Sequence, residues 1–166
     1  MRRFIDRYFP SFTIFVLWGS FMGWSVWVAA ADTPRELASP PANSLRVVVG
    51  RWHDADTPKD CLIYLPLGVV LDEPDGVRAS DYDAWEVGHR PGKVILADEK
   101  ARGRRALADL LERYDGGTLH VTLPAAGGVR DKYGRPLGSF WLKNSKTKRW
   151  ENVGDWIKTV GHQRSD

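Results

Sequence analysis

The order of apolar patterns after residue 44 constrains the fold more than any other feature of this chain. Short β-branched or alternating stretches predict strands, and apolar residues at helical spacing predict helices. The predicted strands are residues 45–52, 61–71, 77–81, 118–123 and 137–142, and the predicted helices are residues 97–114 and 151–160. We therefore expect three strands, a helix, two strands and a second helix, in that order.

The longer helix and one turn support this order. Leu107, Leu110, Leu111 and Tyr114 follow the i, i+3, i+4, i+7 spacing of a single buried helix face. The D-E-P-D-G sequence at residues 72–76 predicts a hairpin turn, with residues 77–81 as the return strand, because it combines a proline, which fixes φ, with a glycine, which accepts positive φ. The predicted fold is therefore mainly β with α: a five-stranded OB-fold barrel with two packed helices.

The first 31 residues have the layout of an export signal. A basic head with three arginines precedes a nearly all-apolar stretch at residues 12–28, and three alanines at residues 29–31 offer a cleavage site. The apolar stretch is close to the roughly 20 residues that span a bilayer, so an uncleaved apolar helix that anchors the chain in a membrane stays open. Both alternatives put the remainder outside the cytoplasm, either secreted or periplasmic, or membrane-anchored.

Composition places narrow limits on the remaining chain. Residues 32–43 are rich in Pro, Ala and Ser and predict a linker, followed by one domain at residues 44–166. The net charge is +3, but three arginines and one aspartate of the leader contribute +2 of it, so whole-chain charge says little about a polyanionic partner. Cys61 is the only cysteine, which excludes an internal disulfide and a cysteine metal cage.

Three short polar clusters carry the candidate chemistry. The first is D-A-D-T at residues 54–57, which alone is more typical of a structural turn, and His53 adjoins it. The second, R-A-S-D-Y-D-A-W-E at residues 78–86, combines an arginine for phosphate with carboxylates for a hard cation. The third, D-K-Y-G-R at residues 131–135, has basic residues and an aromatic that could hold a phosphate and stack a base.

Together, in this order, the clusters resemble the motifs of the staphylococcal nuclease (thermonuclease-like) family. That family carries D-G-D-T, R-x-x-x-x-D-x-P-E and D-K-Y-G-R, and the spacing within each motif matches here without a gap. The resemblance covers roughly residues 45–162. It implies an OB barrel and a calcium-dependent phosphodiesterase, a nuclease that acts on DNA or RNA.

The resemblance also implies roles for eight residues, carried over by position. The Ca²⁺ ligands would be Asp56, Asp83 and the backbone carbonyl of Ala84; the catalytic residues would be Arg78, Glu86 and Arg135; and the nucleotide contacts would be Lys132 and Tyr133. Glu86 would activate the attacking water, and the two arginines would hold the phosphate and stabilise the transition state.

Several departures from the family motifs lead to further expectations. Ala55 replaces the family glycine, so φ should be negative there, and Trp85 replaces the proline before Glu86, which changes the loop or offers a ring to a base. No third helix is predicted after residue 160, which would leave part of the barrel uncovered. A nucleic-acid-binding module without turnover and a membrane-tethered interaction protein therefore stay open, and in each case we expect a monomer.

Overall fold

The computed structural model describes residues 34–88, 94–124 and 129–164. These residues form a mainly β domain with two helices, as predicted. The strands are β1 (Glu36–Leu37), β2 (Ser44–Asp54), β3 (Thr57–Tyr64), β4 (Val70–Glu73), β5 (Arg78–Ala79), β6 (Tyr114–Thr122), β7 (Leu137–Asn144) and β8 (Trp150–Asn152); the helices are α1 (Ala97–Arg113) and α2 (Val153–Thr159). The predicted leader, with its apolar helix, lies outside the described residues.

The sheet differs from the predicted five-stranded barrel. Its strands follow the order β1-β8-β7-β6-β2-β3-β4 and are antiparallel, while β5 pairs with β7 in parallel. Eight strands are present in the described residues, and their pairing does not close the sheet into a barrel. The count differs because the predicted run 61–71 divides into β3 and β4 at a short 3-10 turn, where Leu67 and Gly68 have positive φ, and because the short strands β1 and β8 were not predicted.

The segment after β4 also departs from the prediction, which had residues 77–81 return along β4. Gly76 has φ +85°, and a Cβ there would overlap the carbonyl of Pro58, so only glycine fits this turn. Beyond it, the amides of Val77 and Ala79 donate to the carbonyls of Pro58 (3.1 Å) and Asp56 (3.0 Å). β5 is therefore placed beside the first polar cluster rather than beside β4.

The core lies between the inner face of the sheet and the two helices. Its fully buried members include Val47, Leu110, Leu119, Phe140 and Leu142. Their burial removes a large apolar surface from water, and each Å² of that surface stabilises the folded state by roughly 25 cal/mol. The sheet and the helices are held together mainly by this contact.

Helix α1 has nearly the predicted bounds but a shifted buried face. Leu110 and the following Tyr114 are buried as expected, whereas Leu111 is 45% exposed, and Gly103 and Ala106 are buried instead. Helix α2 begins after β8, where the side chain of Asn152 accepts a hydrogen bond from the amide of Asp155 at 3.0 Å. Neither helix in the described part of the chain is long and apolar enough to cross a membrane.

A buried carboxylate joins α1 to the edge of the sheet. Glu151 in β8 is fully buried and accepts hydrogen bonds from Arg113 (2.9 Å), Tyr114 (2.9 Å) and Asn144 (2.6 Å). A buried charge is tolerated only when it is paired and hydrogen-bonded in this way. The same β8 pairs with β1, in which Glu36 lies opposite Glu151.

Candidate active site

The three polar clusters meet at one cleft with a volume of about 910 Å³. Each cluster contributes side chains, although residue 57 at the end of the first cluster and residue 131 at the start of the third are 74 positions apart in the chain. The lining includes Arg78, Glu86, Lys132, Tyr133 and Arg135, the predicted catalytic and nucleotide-contacting residues. His53, Asp54 and Lys59 line the same cleft.

Asp56 is the centre of the hydrogen bonds that hold the first two clusters together. Its side chain is 1% exposed and accepts from the hydroxyl of Thr57 (2.8 Å), the guanidinium of Arg78 and the amide of Ala84 (2.6 Å). Burial and the neighbouring Asp54 raise the pKa of Asp56, against the opposing effects of Arg78 and the Ala84 amide. Asp56 therefore fixes the position of the 78–84 segment.

Arg78 joins the two carboxylates predicted to bind a cation. Its guanidinium donates to Asp56 through one terminal nitrogen and to Asp83 through the other, and it also contacts the Thr57 hydroxyl at 3.0 Å. Burial alone would lower the pKa of Arg78, but Asp56 and Asp83 together raise it. The arginine therefore supplies the positive charge between these two acids.

Asp54 is a buried acid that the sequence did not single out as functional. It is 4% exposed, and its Oδ1 atom has no hydrogen-bond partner among the described residues. Burial raises the pKa of Asp54, the charge of Glu86 adds to this effect, and Asp56 and Arg78 oppose it. An unpartnered buried oxygen of this kind costs about 1–3 kcal/mol unless something binds it.

Glu86, the last residue of the second cluster, is half-buried at the cleft wall. Its charge acts on His53 as well as on Asp54. His53 is half-buried, and burial together with Lys59 lowers its pKa, so the neutral imidazole predominates near pH 7. Its place on the cleft wall would allow His53 to touch a substrate bound there.

The third cluster is held as a tight turn by its first residue. Asp131 accepts hydrogen bonds from the amides of Tyr133 and Arg135, both at 2.9 Å, and from the Arg135 guanidinium at 2.8 Å and 2.7 Å. Burial would raise the pKa of Asp131, but these hydrogen bonds lower it. Gly134 has φ +83°, which the turn requires.

The aromatic and basic residues of this turn lie close together. Tyr133 is 60% exposed, with the ammonium of Lys132 at 5.1 Å and the guanidinium of Arg135 at 5.5 Å from its ring centroid. An exposed ring flanked by cations suits the stacking of a base next to a phosphate. The turn is tied to β4 by a salt bridge between Arg130 and Glu73 at 2.6 Å.

Two departures from the family motifs have visible consequences. Ala55 is fully buried and is not among the described residues with positive φ, which confirms the expectation for that turn. Trp85 is half-buried against α1, where the guanidinium of Arg102 lies 5.0 Å from its ring centroid. Its ring is therefore engaged by a helix and does not belong to the cleft lining of the described residues.

Sequence reasoning missed the residues that position others. The hydroxyl of Tyr82 donates to the carbonyl of Ala55 at 2.8 Å, which locks the first cluster to the second. Asp131 organises the third cluster, and Asp54 lies beside Asp56. The first aspartate of D-x-D was a visible signal for Asp54, whereas nothing local distinguishes Tyr82.

The predicted calcium ligands are partly assembled. Arg78 links Asp56 and Asp83, and Ala84 donates its amide to Asp56 while forming an isolated bridge with Gln163. No group of three His, Cys, Asp or Glu side chains in residues 34–88, 94–124 and 129–164 has the geometry of a metal site. The unpartnered oxygen of Asp54 nevertheless fits a hard cation, which takes carboxylate oxygens.

No protein-family model matches the sequence, and no curated protein matches it. Function is therefore inferred from the chemistry of the cleft and from the motifs that line it.

Proposed function

We propose that this domain is a calcium-dependent nuclease that hydrolyses phosphodiester bonds in DNA or RNA outside the cytoplasm. The observation that carries the proposal is the meeting of Arg78, Glu86 and Arg135 in one cleft, although the segment with Arg78 and Glu86 lies far from Arg135 in the chain. Two arginines and a glutamate that line one cleft offer positive charge for a phosphate and a carboxylate for a water molecule. Phosphoryl transfer needs such positioning and charge neutralisation more than covalent help.

The two arginines would hold the phosphate. Each guanidinium offers a planar pair of donors that matches two phosphate oxygens, and the two line the same cleft. Both are paired with acids in the free protein, Arg78 with Asp56 and Asp83 and Arg135 with Asp131. These pairs fix the arginines in place, while the remaining N–H groups can reach a substrate.

Asp56, Asp83 and the Ala84 carbonyl would hold Ca²⁺. A bound cation of this type supplies Lewis-acid stabilisation of the phosphate oxygens. Two protein carboxylates suggest weak binding, with a Kd on the order of 10⁻⁴–10⁻³ M, as in extracellular modules. This range agrees with the leader, which predicts export.

Glu86 would accept the proton of the attacking water. It is the one predicted catalytic carboxylate on the cleft wall, and it faces the same space as the two arginines. Tyr133 would stack on a base, and Lys132 would contact the nucleic-acid backbone. These roles follow the family motifs, and the shared cleft supports each of them.

The strand arrangement supports membership of the thermonuclease-like family with an OB-type barrel. β5 pairs with β7 in parallel, and the amides of Val77 and Ala79 donate to the carbonyls of Pro58 and Asp56, at and just before the start of β3. A five-stranded barrel of this type would use β5 to join the two ends of the curled sheet. β1 and β8 would then be additions to its edge.

A nucleic-acid-binding module without turnover is the second candidate. The specific observation in its favour is that Arg78 contacts both predicted calcium ligands, so its charge is already used within the protein. A cleft with Lys132, Tyr133 and Arg135 would still bind a single strand.

A digestion assay separates the two functions. Purified protein is incubated with plasmid and with single-stranded RNA, in calcium and then in chelator, beside Glu86→Gln and Arg135→Lys. We expect calcium-dependent cleavage by the wild type and a loss of about 10²–10³ in rate for each variant. Glu112→Gln and Arg104→Lys, on the exposed surface of α1, are the matched controls and should cleave normally.

The assay has two outcomes that count against the nuclease. Equal affinity for DNA in all variants with no cleavage by any of them supports the binding module. Absence of both cleavage and binding at low salt removes every nucleic-acid function, because electrostatic contacts to phosphates are strongest there.

A further inference from the structure

The segment that carries Glu86 is held by the first helix through two contacts. The guanidinium of Arg102 lies 5.0 Å from the ring centroid of Trp85. One residue further along the helix, Gly103 is buried, and a Cβ at that position would lie 2.5 Å from the carbonyl oxygen of Glu86. The same Cβ would lie 2.7 Å from the carbonyl oxygen of Trp85. The helix and the segment are therefore in direct backbone contact.

The helix is a suitable support because it is itself well anchored. It runs for 17 residues, and Ala106 and Leu110, one and two turns beyond Arg102, are fully buried in the core. Residues 85–88 form no strand or helix of their own. The backbone of this segment is therefore held in place by the elements that pack against it.

We propose that Arg102 and Trp85 form a clamp that positions Glu86, so that Arg102 is a positioning residue although it lies outside the cleft lining. This inference rests on the proposed nuclease function. Gly103 allows the helix to come close enough for the clamp to form. Residues 85–88 lack regular secondary structure, so the rigidity of this segment comes from the contact of the indole ring with the helix.

A double-mutant cycle tests the clamp through the catalytic rate. Arg102→Gln removes the cation, Trp85→Leu removes the aromatic face, and the double variant removes both. We expect Arg102→Gln to lower kcat about two- to fivefold with KM unchanged. This factor corresponds to the free energy of an exposed cation–π contact. In the Trp85→Leu background the same change should have no effect. Arg104→Gln, on the exposed side of the same helix, is the matched control.

A second readout does not require activity. The amides at residues 83–88 should exchange their hydrogens faster in Arg102→Gln and in Trp85→Leu, by a factor that is equal in the two variants. The double variant should show no further increase. Urea denaturation of each variant checks that the global stability is retained. If the wild type cleaves nothing, the proposed function fails, while the exchange experiment still decides whether the clamp exists.

Two results would overturn the inference. One is an equal effect of Arg102→Gln with and without the indole, in kcat and in exchange alike. The other is an effect of Arg104→Gln as large as that of Arg102→Gln, since a general loss of helix charge would then explain both. A change confined to KM would instead mean that Arg102 contacts the substrate, which also contradicts a positioning role.

Discussion

Replacement of Asp54 by asparagine should stabilise the fold at neutral pH. Asp54 is 4% exposed, its Oδ1 lacks a hydrogen-bond partner among the described residues, and Asp56 lies beside it. Asparagine keeps the shape of the side chain and removes the charge. Its amide can also donate a hydrogen bond to Asp56, whereas two ionised carboxylates cannot form a hydrogen bond with each other because neither has a proton to donate.

The pH dependence follows from the direction of the pKa shift. Burial raises the pKa of Asp54 in the folded state above the ordinary value of 3.8, so the folded protein binds this proton more tightly than the unfolded chain. The free energy of unfolding therefore falls as the pH rises from the unfolded pKa through the folded one. Below about pH 3.8 the acid is protonated in both states, and Asp54→Asn should have no advantage there.

The magnitude follows from the unpartnered oxygen. Leaving a buried polar group without a partner costs about 1–3 kcal/mol, and more when the group is charged. We expect Asp54→Asn to gain about 1–3 kcal/mol at pH 7.5 in chelator, which raises Tm by roughly 3 °C per kcal/mol or more. With calcium present the difference should narrow, because a cation would stabilise the wild-type carboxylate.

Thermal and urea denaturation of both proteins from pH 3 to pH 8 would measure this difference. Asp131→Asn is a control for which we expect the opposite change in stability, because hydrogen bonds lower the pKa of Asp131 in the folded state. It should destabilise at neutral pH, and its effect should fade as the pH falls through the folded pKa. The reasoning is refuted if Asp54→Asn is no more stable than the wild type at pH 7.5, or if the difference is the same at pH 3.

Three further predictions concern the core and the helix contact. Arg113→Met should cost about 3–5 kcal/mol in urea denaturation, because it leaves the fully buried Glu151 without its cation. Gly103→Ala should lower both stability and kcat, because a Cβ 2.5 Å from the Glu86 carbonyl outweighs the gain of about 1 kcal/mol in helix propensity. Cys61 is fully buried with its pKa raised to about 11, so a maleimide at pH 7.5 should label it only in unfolding conditions.

Each of these predictions has an outcome that contradicts it. Arg149→Met, which disrupts an exposed pair with Glu36, is the control for Arg113→Met, and equal losses would mean that burial does not set the cost. An alanine at position 103 that raises Tm would show that the helix can shift away from the segment. Rapid labelling of Cys61 in native buffer would mean that the core opens far more readily than its packing indicates.

The parts of the fold that sequence patterns predicted are those with long, regular signals. Helix α1 and strands β2 and β7 have near-predicted bounds because each spans at least eight residues with a clear period. Strands β1, β5 and β8 contain two or three residues, too few for any period, and they exist only through their partners in the sheet. The two of these strands that were not predicted, β1 and β8, are part of the reason why five strands were predicted and eight are present in the described residues.

In the candidate site, too, some features were predictable from the sequence and others were not. Motif spacing was enough to name Arg78, Glu86 and Arg135, which line one cleft. It could not indicate the hydrogen bond from Tyr82 to Ala55, which joins residues 27 positions apart. It also could not predict that Arg78 contacts both Asp56 and Asp83, since that depends on how the segments pack.

The short strand β1 would set how far the domain could lie from a lipid bilayer if the predicted leader stayed uncleaved. Glu36 is already paired within the sheet, five residues after Ala31, the last residue of that predicted leader. An extended chain of that length reaches only about 17 Å. An uncleaved leader would therefore confine the cleft to the membrane surface and to nucleic acid that arrives there, whereas cleavage would release the domain to diffuse through the surrounding fluid.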